Sequence, residues 1–142
     1  MMSVSQQLAE AYRKEQEVYF QISDLVKQQR EVMEIAPDPG AVLQLCNQVE
    51  DLMKEISVIE EAIEPAKRRW QETRHEGLAL RAHDVELDSV LAGIQALIEE
   101  TARTQIEVQE KVLAYMRRQE ERTGGARKMV KVNRARAIYG AV

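Results

Sequence analysis

The chain has 142 residues, of which 31% are charged and only 4% aromatic, and its formal net charge is −4. This length is enough for one domain with a single core, and the shortage of aromatic residues excludes most compact β folds in favour of long helices. A single cysteine, Cys46, excludes an internal disulfide. We therefore expect a reducing compartment. With no apolar signal core and no run long enough to span a bilayer, we expect a cytoplasmic protein.

The first helical pattern opens at Ser3, and Gln6 follows at the spacing of a capping box. Apolar residues then recur three and four positions apart, and a second row runs beside them at intervals of seven. The first row is Val4, Leu8, Ala11, Glu15, Val18, Ile22, Leu25, Gln29 and Val32, and the second is Tyr12, Tyr19, Val26 and Met33. Because two rows make a broad face, we expect this helix, over about residues 3–34, to contact more than one neighbour.

A second pattern follows the proline-rich break at residues 36–40. Asp38 is expected to cap the helix, with Pro39 at its first position. Its seam alternates steps of three and four without interruption: Val42, Leu45, Val49, Leu52, Ile56, Ile59, Ile63, Ala66, Trp70 and Thr73. A period of 3.5 sustained over this length indicates coiled-coil packing. Because the seam keeps its register past Pro65, we predict one helix over residues 40–75 that is kinked there.

A third helix is predicted over residues 84–122, ending before Gly124-Gly125. Its seam is Leu87, Leu91, Ile94, Ile98, Thr101, Gln105, Val108, Val112 and Tyr115, flanked by Val90, Leu97, Leu113 and Met116. Short connections between long helices favour antiparallel neighbours. We therefore predict an all-α fold over residues 1–123, an elongated antiparallel helical hairpin or three-helix bundle with coiled-coil packing.

Residues 124–142 form a basic C-terminal segment with five cations and no acidic residue, which leaves a net charge of −9 for residues 1–123. Its apolar residues fit neither helical nor strand periodicity, so we expect a segment that is flexible or folds on a partner. Docking on another protein is the favoured interpretation, and a tail that folds back on its own acidic helices is the main competitor. The predicted partner-binding residues are Met129, Val130, Val132, Ile138 and Tyr139.

We find no pattern that indicates an active site, a metal site or a cofactor. His75 and His83 flank a polar connection and have no ligand at the spacing that a metal needs. The pair Glu60 and Glu61 is interpreted as part of a solvated helix face. The chain also lacks a phosphate-binding glycine loop, and we predict a protein that is not an enzyme. Binding to nucleic acid is disfavoured because the acidic body would repel it.

Four polar residues stand on the predicted seams: Glu15, Gln29, Thr101 and Gln105. A buried polar group must find a partner or cost roughly 1–3 kcal/mol. Such positions either fix the register of the helices or face a weakly covered groove. The alternative is that they lie at the solvated ends of the bundle. Cys46, beside Leu45 on the seam, is interpreted as a small apolar residue on the flank of a helix interface.

The order of these features resembles the flagellar type III export chaperones of the FlgN and FliT kind. The resemblance is carried by residues 8–19 (LAEAYRKEQEVY), by the Leu/Ile heptads of residues 42–63, and by Tyr139-Gly140 near the C-terminus. The prolines at 37, 39 and 65 have no counterpart in that family's pattern.

The resemblance implies a cytoplasmic chaperone that binds the apolar terminal helices of a flagellar axial subunit of the hook–filament junction type. It also implies delivery of that subunit to the export apparatus, with Tyr139 contacting the export gate. Recognition would place an apolar client helix in a groove of the chaperone. The competing hypothesis is a structural coiled-coil scaffold or adaptor that self-assembles into a homo-oligomer.

Overall fold

The computed structural model describes residues 3–75 and 82–123. Over these residues the fold is all-α and contains no strand, which confirms the predicted helical bundle. The three helices are α1 (Val4–Ile35), α2 (Pro39–His75) and α3 (Ala82–Thr123). Their ends lie within two residues of the positions predicted from the sequence. The basic C-terminal segment 124–142 lies outside the described residues.

Local hydrogen bonds at the helix starts explain where α1 and α2 begin. The hydroxyl of Ser3 accepts a hydrogen bond from the backbone N–H of Gln6 at 3.2 Å. The carboxylate of Asp38 accepts one from the backbone N–H of Ala41, also at 3.2 Å. Both side chains satisfy donors that a first helical turn leaves unpaired. The two predicted N-caps are therefore confirmed.

α2 continues through Pro65 without ending. Proline lacks a backbone N–H, so the carbonyl of Glu61, four residues earlier, loses its helical donor. Both Pro65 and Glu61 are exposed, and water can satisfy this carbonyl. The position of the proline on the solvent side therefore explains why the helix tolerates it.

The helices contribute to two compact units, and each unit contains one segment of every helix. Of the described residues, unit 1 comprises 3–22, 50–75 and 82–98, and unit 2 comprises 23–49 and 99–123.

In unit 1, a buried cluster joins all three helices. Its members are Leu8 and Tyr12 of α1, Ile63 and Ala66 of α2, and Leu87 and Ile94 of α3. Ser5 is hydrogen-bonded to Asp84, and Gly93 lies against the side chain of Gln16, so α1 and α3 run parallel here. Tyr12 contacts Lys67 of α2, whereas Glu15, further along α1, contacts Glu60, which comes earlier in α2. These two helices therefore run antiparallel.

Unit 2 repeats this up-down-up arrangement around its own core. The buried cluster comprises Met33, Val42, Cys46, Val108, Val112 and Met116. The amide of Gln29 donates to the sulfur of Cys46 at 3.5 Å. On the outside, three ion pairs connect α1 to α3 with distances of 3.4–3.6 Å: Lys27–Glu100, Arg30–Glu107 and Glu34–Lys111. Their order shows that α1 and α3 are parallel in this unit as well. The predicted broad face of α1 is confirmed, because α1 packs against both α2 and α3.

The predicted seam of α3 is wrong at two positions. Ile98 is 37% exposed and Gln105 is only half-buried, whereas Leu97 and Thr104 are buried. Leu97 and Thr104 stand seven residues apart on the row that flanks the predicted seam, while the seam residues Thr101, Val108 and Val112 are buried as predicted. The buried face of α3 is therefore wider than a single row of period 3.5.

Candidate functional site

Unit 1 contains a group of buried and half-buried polar side chains between α1 and α2, which we name the Glu15 cluster. It comprises Tyr12, Glu15 and Tyr19 of α1 with Glu60 and Lys67 of α2. The three α1 residues are spaced by three and four, which places them on one helix face, and the two α2 residues are two turns apart. The periodicity of the two helices therefore brings these five side chains together.

Glu15 is the most buried member of the cluster, with 2% of its surface exposed. Its carboxyl group lies within hydrogen-bonding reach of the carboxyl group of Glu60. The ammonium group of Lys67 forms an ion pair with Glu60 at 3.1 Å and is also hydrogen-bonded to Tyr12. Two carboxyl groups form a hydrogen bond with each other only when one of them holds a proton. The proximity of the two carboxyl groups therefore favours a proton on one of them.

The same surroundings shift the acidity of Glu15. Burial, then the hydrogen bond and the charge of Glu60, raise the pKa of Glu15 to about 8, and Lys67 opposes this shift. Burial also raises the pKa of Tyr12 and of Tyr19, with further upward contributions from the nearby carboxylates. Burial lowers the pKa of Lys67, but its hydrogen bonds and charge interactions with Glu60 and Tyr12 together outweigh burial, so the pKa of Lys67 is raised. At neutral pH, Glu15 is therefore protonated and Lys67 is charged.

One atom of the cluster has no partner. Oε1 of Glu15 is buried and makes no hydrogen bond. An unpaired oxygen in an apolar interior is much less costly in a neutral carboxyl group than in a carboxylate. This oxygen independently favours the protonated form.

The raised pKa determines how the cluster affects stability. The contribution of protonated Glu15 to the free energy of unfolding is fully present below the ordinary glutamate pKa near 4.5. It is lost as the pH rises through the raised pKa of about 8. At roughly 1.4 kcal/mol per pKa unit, the full loss is on the order of 3–5 kcal/mol. The Glu15 cluster therefore stabilises unit 1 at neutral pH less than it does in weak acid.

The burial of Glu15 limits the reactions in which the Glu15 cluster could take part. A carboxyl group that is 2% exposed cannot reach a substrate unless α1 and α2 separate. In residues 3–75 and 82–123, no three Asp, Glu, Cys or His residues are grouped so that they could hold a metal ion. The arrangement is therefore suited to holding two helices together rather than to acid–base catalysis on a bound molecule.

Unit 2 has a neutral counterpart two heptads along α1. Gln29 is 1% exposed and contacts Cys46, which is 7% exposed. The buried positions of Glu15 and Gln29 show that these two seam residues do not lie at solvated ends, which rejects that alternative for them. Thr101 is also buried. The interpretation of Cys46 as a small residue at a helix interface is consistent with its burial.

A groove of about 530 Å³ opens in unit 2 between α1 and α3. Its apolar lining includes Met33, Ala114 and Tyr115, and its charged lining includes Lys111 and Arg118.

Several large apolar side chains remain exposed on the helices. They are Phe20, Met53, Val58, Val85 and Ile98 in unit 1, and Ile35 and Ile106 in unit 2. All except Ile98 lie off the predicted seams. Apart from Ile98, the seam residues whose burial the structure describes are buried or half-buried.

The structure describes only some of the candidate residues that the sequence indicated. Met129, Val130, Val132, Ile138 and Tyr139 lie outside the described residues, as do the side chains of His75 and His83. Glu60 was assigned to a solvated face, but it is half-buried and pairs with Lys67, whereas its neighbour Glu61 is exposed. The helical period of α2 places Glu60 and Lys67 on one face. That period alone does not reveal that this face meets Glu15.

Within the described ranges, no helix has a stretch both long and apolar enough to cross a membrane. Comparisons of the chain with protein-family models, with curated proteins and with solved structures found no match.

Proposed function

We propose that this protein is a cytoplasmic chaperone of the flagellar type III export class. It binds an apolar helix of an axial subunit of the hook–filament junction type and delivers that subunit to the export apparatus. The proposal starts from the sequence resemblance to the FlgN and FliT kind of chaperone. This resemblance predicts a helical protein with a surface that binds a client helix.

The groove of unit 2 is the observation that supports this function best. Its lining combines apolar side chains with charged groups of both signs, and among the latter Glu34 and Lys111 are paired at 3.6 Å. Ile35 stands in the sequence between the lining residues Glu34 and Pro37, and it is 83% exposed. A client helix binds in such a groove through apolar side chains one turn apart, with polar contacts at the rim. α3, which contributes lining residues to this groove, leads directly into the predicted partner-binding segment 124–142.

Capture from lysate of the source cell tests the client. The tagged full-length chain is expected to enrich a flagellar axial subunit, and Tyr115→Ala is expected to reduce that enrichment about tenfold by removing an apolar wall of the groove. Val58→Ala, at an exposed apolar residue of unit 1, is the matched control and should capture as much as wild type. Circular dichroism should show the same helix content for all three proteins. If no flagellar subunit is enriched, or if both variants lose it equally, the proposal is wrong.

Sedimentation at several protein concentrations separates the chaperone from the self-assembling scaffold. Because the seam residues whose burial the structure describes are buried or half-buried within each unit, apart from Ile98, the isolated chain should not form a tight obligate oligomer. A chain truncated after Thr123 should keep the helix content of the described helices and lose affinity for the client. A concentration-independent oligomer would favour the scaffold, and unfolding of the truncated chain would assign a structural role to residues 124–142.

A further inference from the structure

The charges of the Glu15 cluster do not balance unless it holds a proton. Two carboxyl groups, Glu15 and Glu60, face one cation, Lys67, and one of the carboxyl groups is 2% exposed. With both carboxyl groups ionised, the contact between α1 and α2 would bury an uncompensated negative charge, which costs several kcal/mol in a protein interior. With one proton on Glu15, the cluster is neutral overall.

Within residues 3–75 and 82–123, Glu60 and Lys67 are the only charged groups that shift the acidity of Glu15. On α1, the neighbours of Glu15 in the cluster are the phenols Tyr12 and Tyr19, which are neutral near pH 7. On α2, only Glu60 and Lys67 shift the acidity of Glu15. From α3, the core of unit 1 receives apolar side chains such as Leu87 and Ile94. The acidic residues of that part of α3 (Asp84, Glu86 and Asp88) are not among the groups that affect Glu15.

We propose that Glu15 makes unit 1 pH-responsive: its protonated carboxyl group holds α1 against α2, and loss of the proton in mild alkali separates residues 4–22 from residues 50–75. The proposal concerns unit 1 alone. In unit 2, the corresponding buried position of α1 is Gln29, an amide that has no acidic proton to lose in this range. The proposal does not depend on the proposed chaperone function.

Amide hydrogen exchange measures this separation in the full-length chain. Exchange is followed by mass spectrometry between pH 6 and 9, and each rate is divided by the intrinsic rate at that pH to give a protection factor. For a Glu15 pKa of about 8, the opening equilibrium rises on the order of 50- to 100-fold over this range. Protection within residues 4–22 and 50–75 should fall by that factor. Protection within residues 23–49 and 99–123 should stay constant.

Three variants test whether the Glu15 cluster causes the pH-dependent fall in protection of unit 1. Glu15→Gln keeps the shape and removes the charge, so unit 1 should become insensitive to pH. Glu10→Gln is the matched control, because Glu10 is exposed on the same helix segment, and it should behave as wild type. Glu60→Gln leaves Glu15 ionisable and buried but removes the negative charge beside it, so the fall in protection should be smaller than in wild type. This last variant decides the question if Glu15→Gln does not fold.

The proposal is overturned if unit 1 of the wild type keeps its protection up to pH 9. It is also overturned if the two units lose protection equally, since Glu15 would then stabilise the fold as a whole. A Glu15→Gln protein that retains the full wild-type response would exclude Glu15 as the responsible group.

Discussion

Replacing Leu87 with alanine is expected to lower the free energy of unfolding by about 3 kcal/mol, within the range measured for buried leucines. Leu87 is completely buried in the core of unit 1, where side chains from all three helices meet. The substitution removes one methine and two methyl groups from the buried core and leaves a cavity that the packed helices cannot close fully. Urea denaturation at about pH 6, followed by circular dichroism, measures the change.

Val85→Ala is the matched control for this substitution. Val85 lies two residues earlier on α3 and is 60% exposed, so its truncation should change the free energy of unfolding by less than about 0.5 kcal/mol. Equal destabilisation by the two substitutions would show that the buried face of α3 has been assigned incorrectly.

Replacing Pro65 with alanine is expected to stabilise the protein, by about 1–2 kcal/mol. A proline inside a helix costs roughly 3 kcal/mol relative to alanine, because it removes one hydrogen bond and crowds the preceding turn. Part of this gain is offset, because proline also restricts the unfolded chain. The position is exposed, so the new side chain disturbs no packed neighbour. The midpoint of urea denaturation should rise with an unchanged slope.

Glu61→Ala, at the exposed residue whose carbonyl would accept the restored hydrogen bond, is the control and should have little effect. A destabilised Pro65→Ala protein would mean that packing in unit 1 requires the backbone geometry that the proline imposes. Hydrogen exchange in residues 61–69 would then locate the disturbance.

The helices themselves were predictable because their signals are local. Ser3 and Asp38 cap α1 and α2 through hydrogen bonds to residues three positions away, and the continuous seam of α2 indicated that the helix passes Pro65. Such signals require no knowledge of the neighbouring helices. They explain why the start and end of each helix agree closely with the sequence.

Local sequence signals could not predict which of two neighbouring rows of α3 is buried. Leu97 and Ile98 are equally apolar, and the sequence of α3 does not determine which of them is buried. The surfaces of α1 and α2 make that choice, and they bury Leu97 and leave Ile98 partly exposed. The same holds for Thr104 and Gln105.

The candidate site was predictable only in part, for a related reason. The position of Glu15 on an apolar seam marked it as a buried polar group. Its partners, Glu60 and Lys67, stand on a different helix and have the composition of a solvated face. The antiparallel direction of α1 and α2 was predicted from their short connection, but the sequence does not specify the axial register that sets Glu60 and Lys67 opposite Glu15.

The three exposed ion pairs of unit 2 favour one direction of α3 relative to α1. Each pair contributes little to stability, about 0–1 kcal/mol, because water and salt screen it. Their signs are nevertheless ordered: two cations then an anion along α1, and two anions then a cation along α3. If α3 were reversed, Lys27 would face Lys111 and Glu34 would face Glu100. A repetitive apolar seam tolerates either direction, and this order of signs selects one of them.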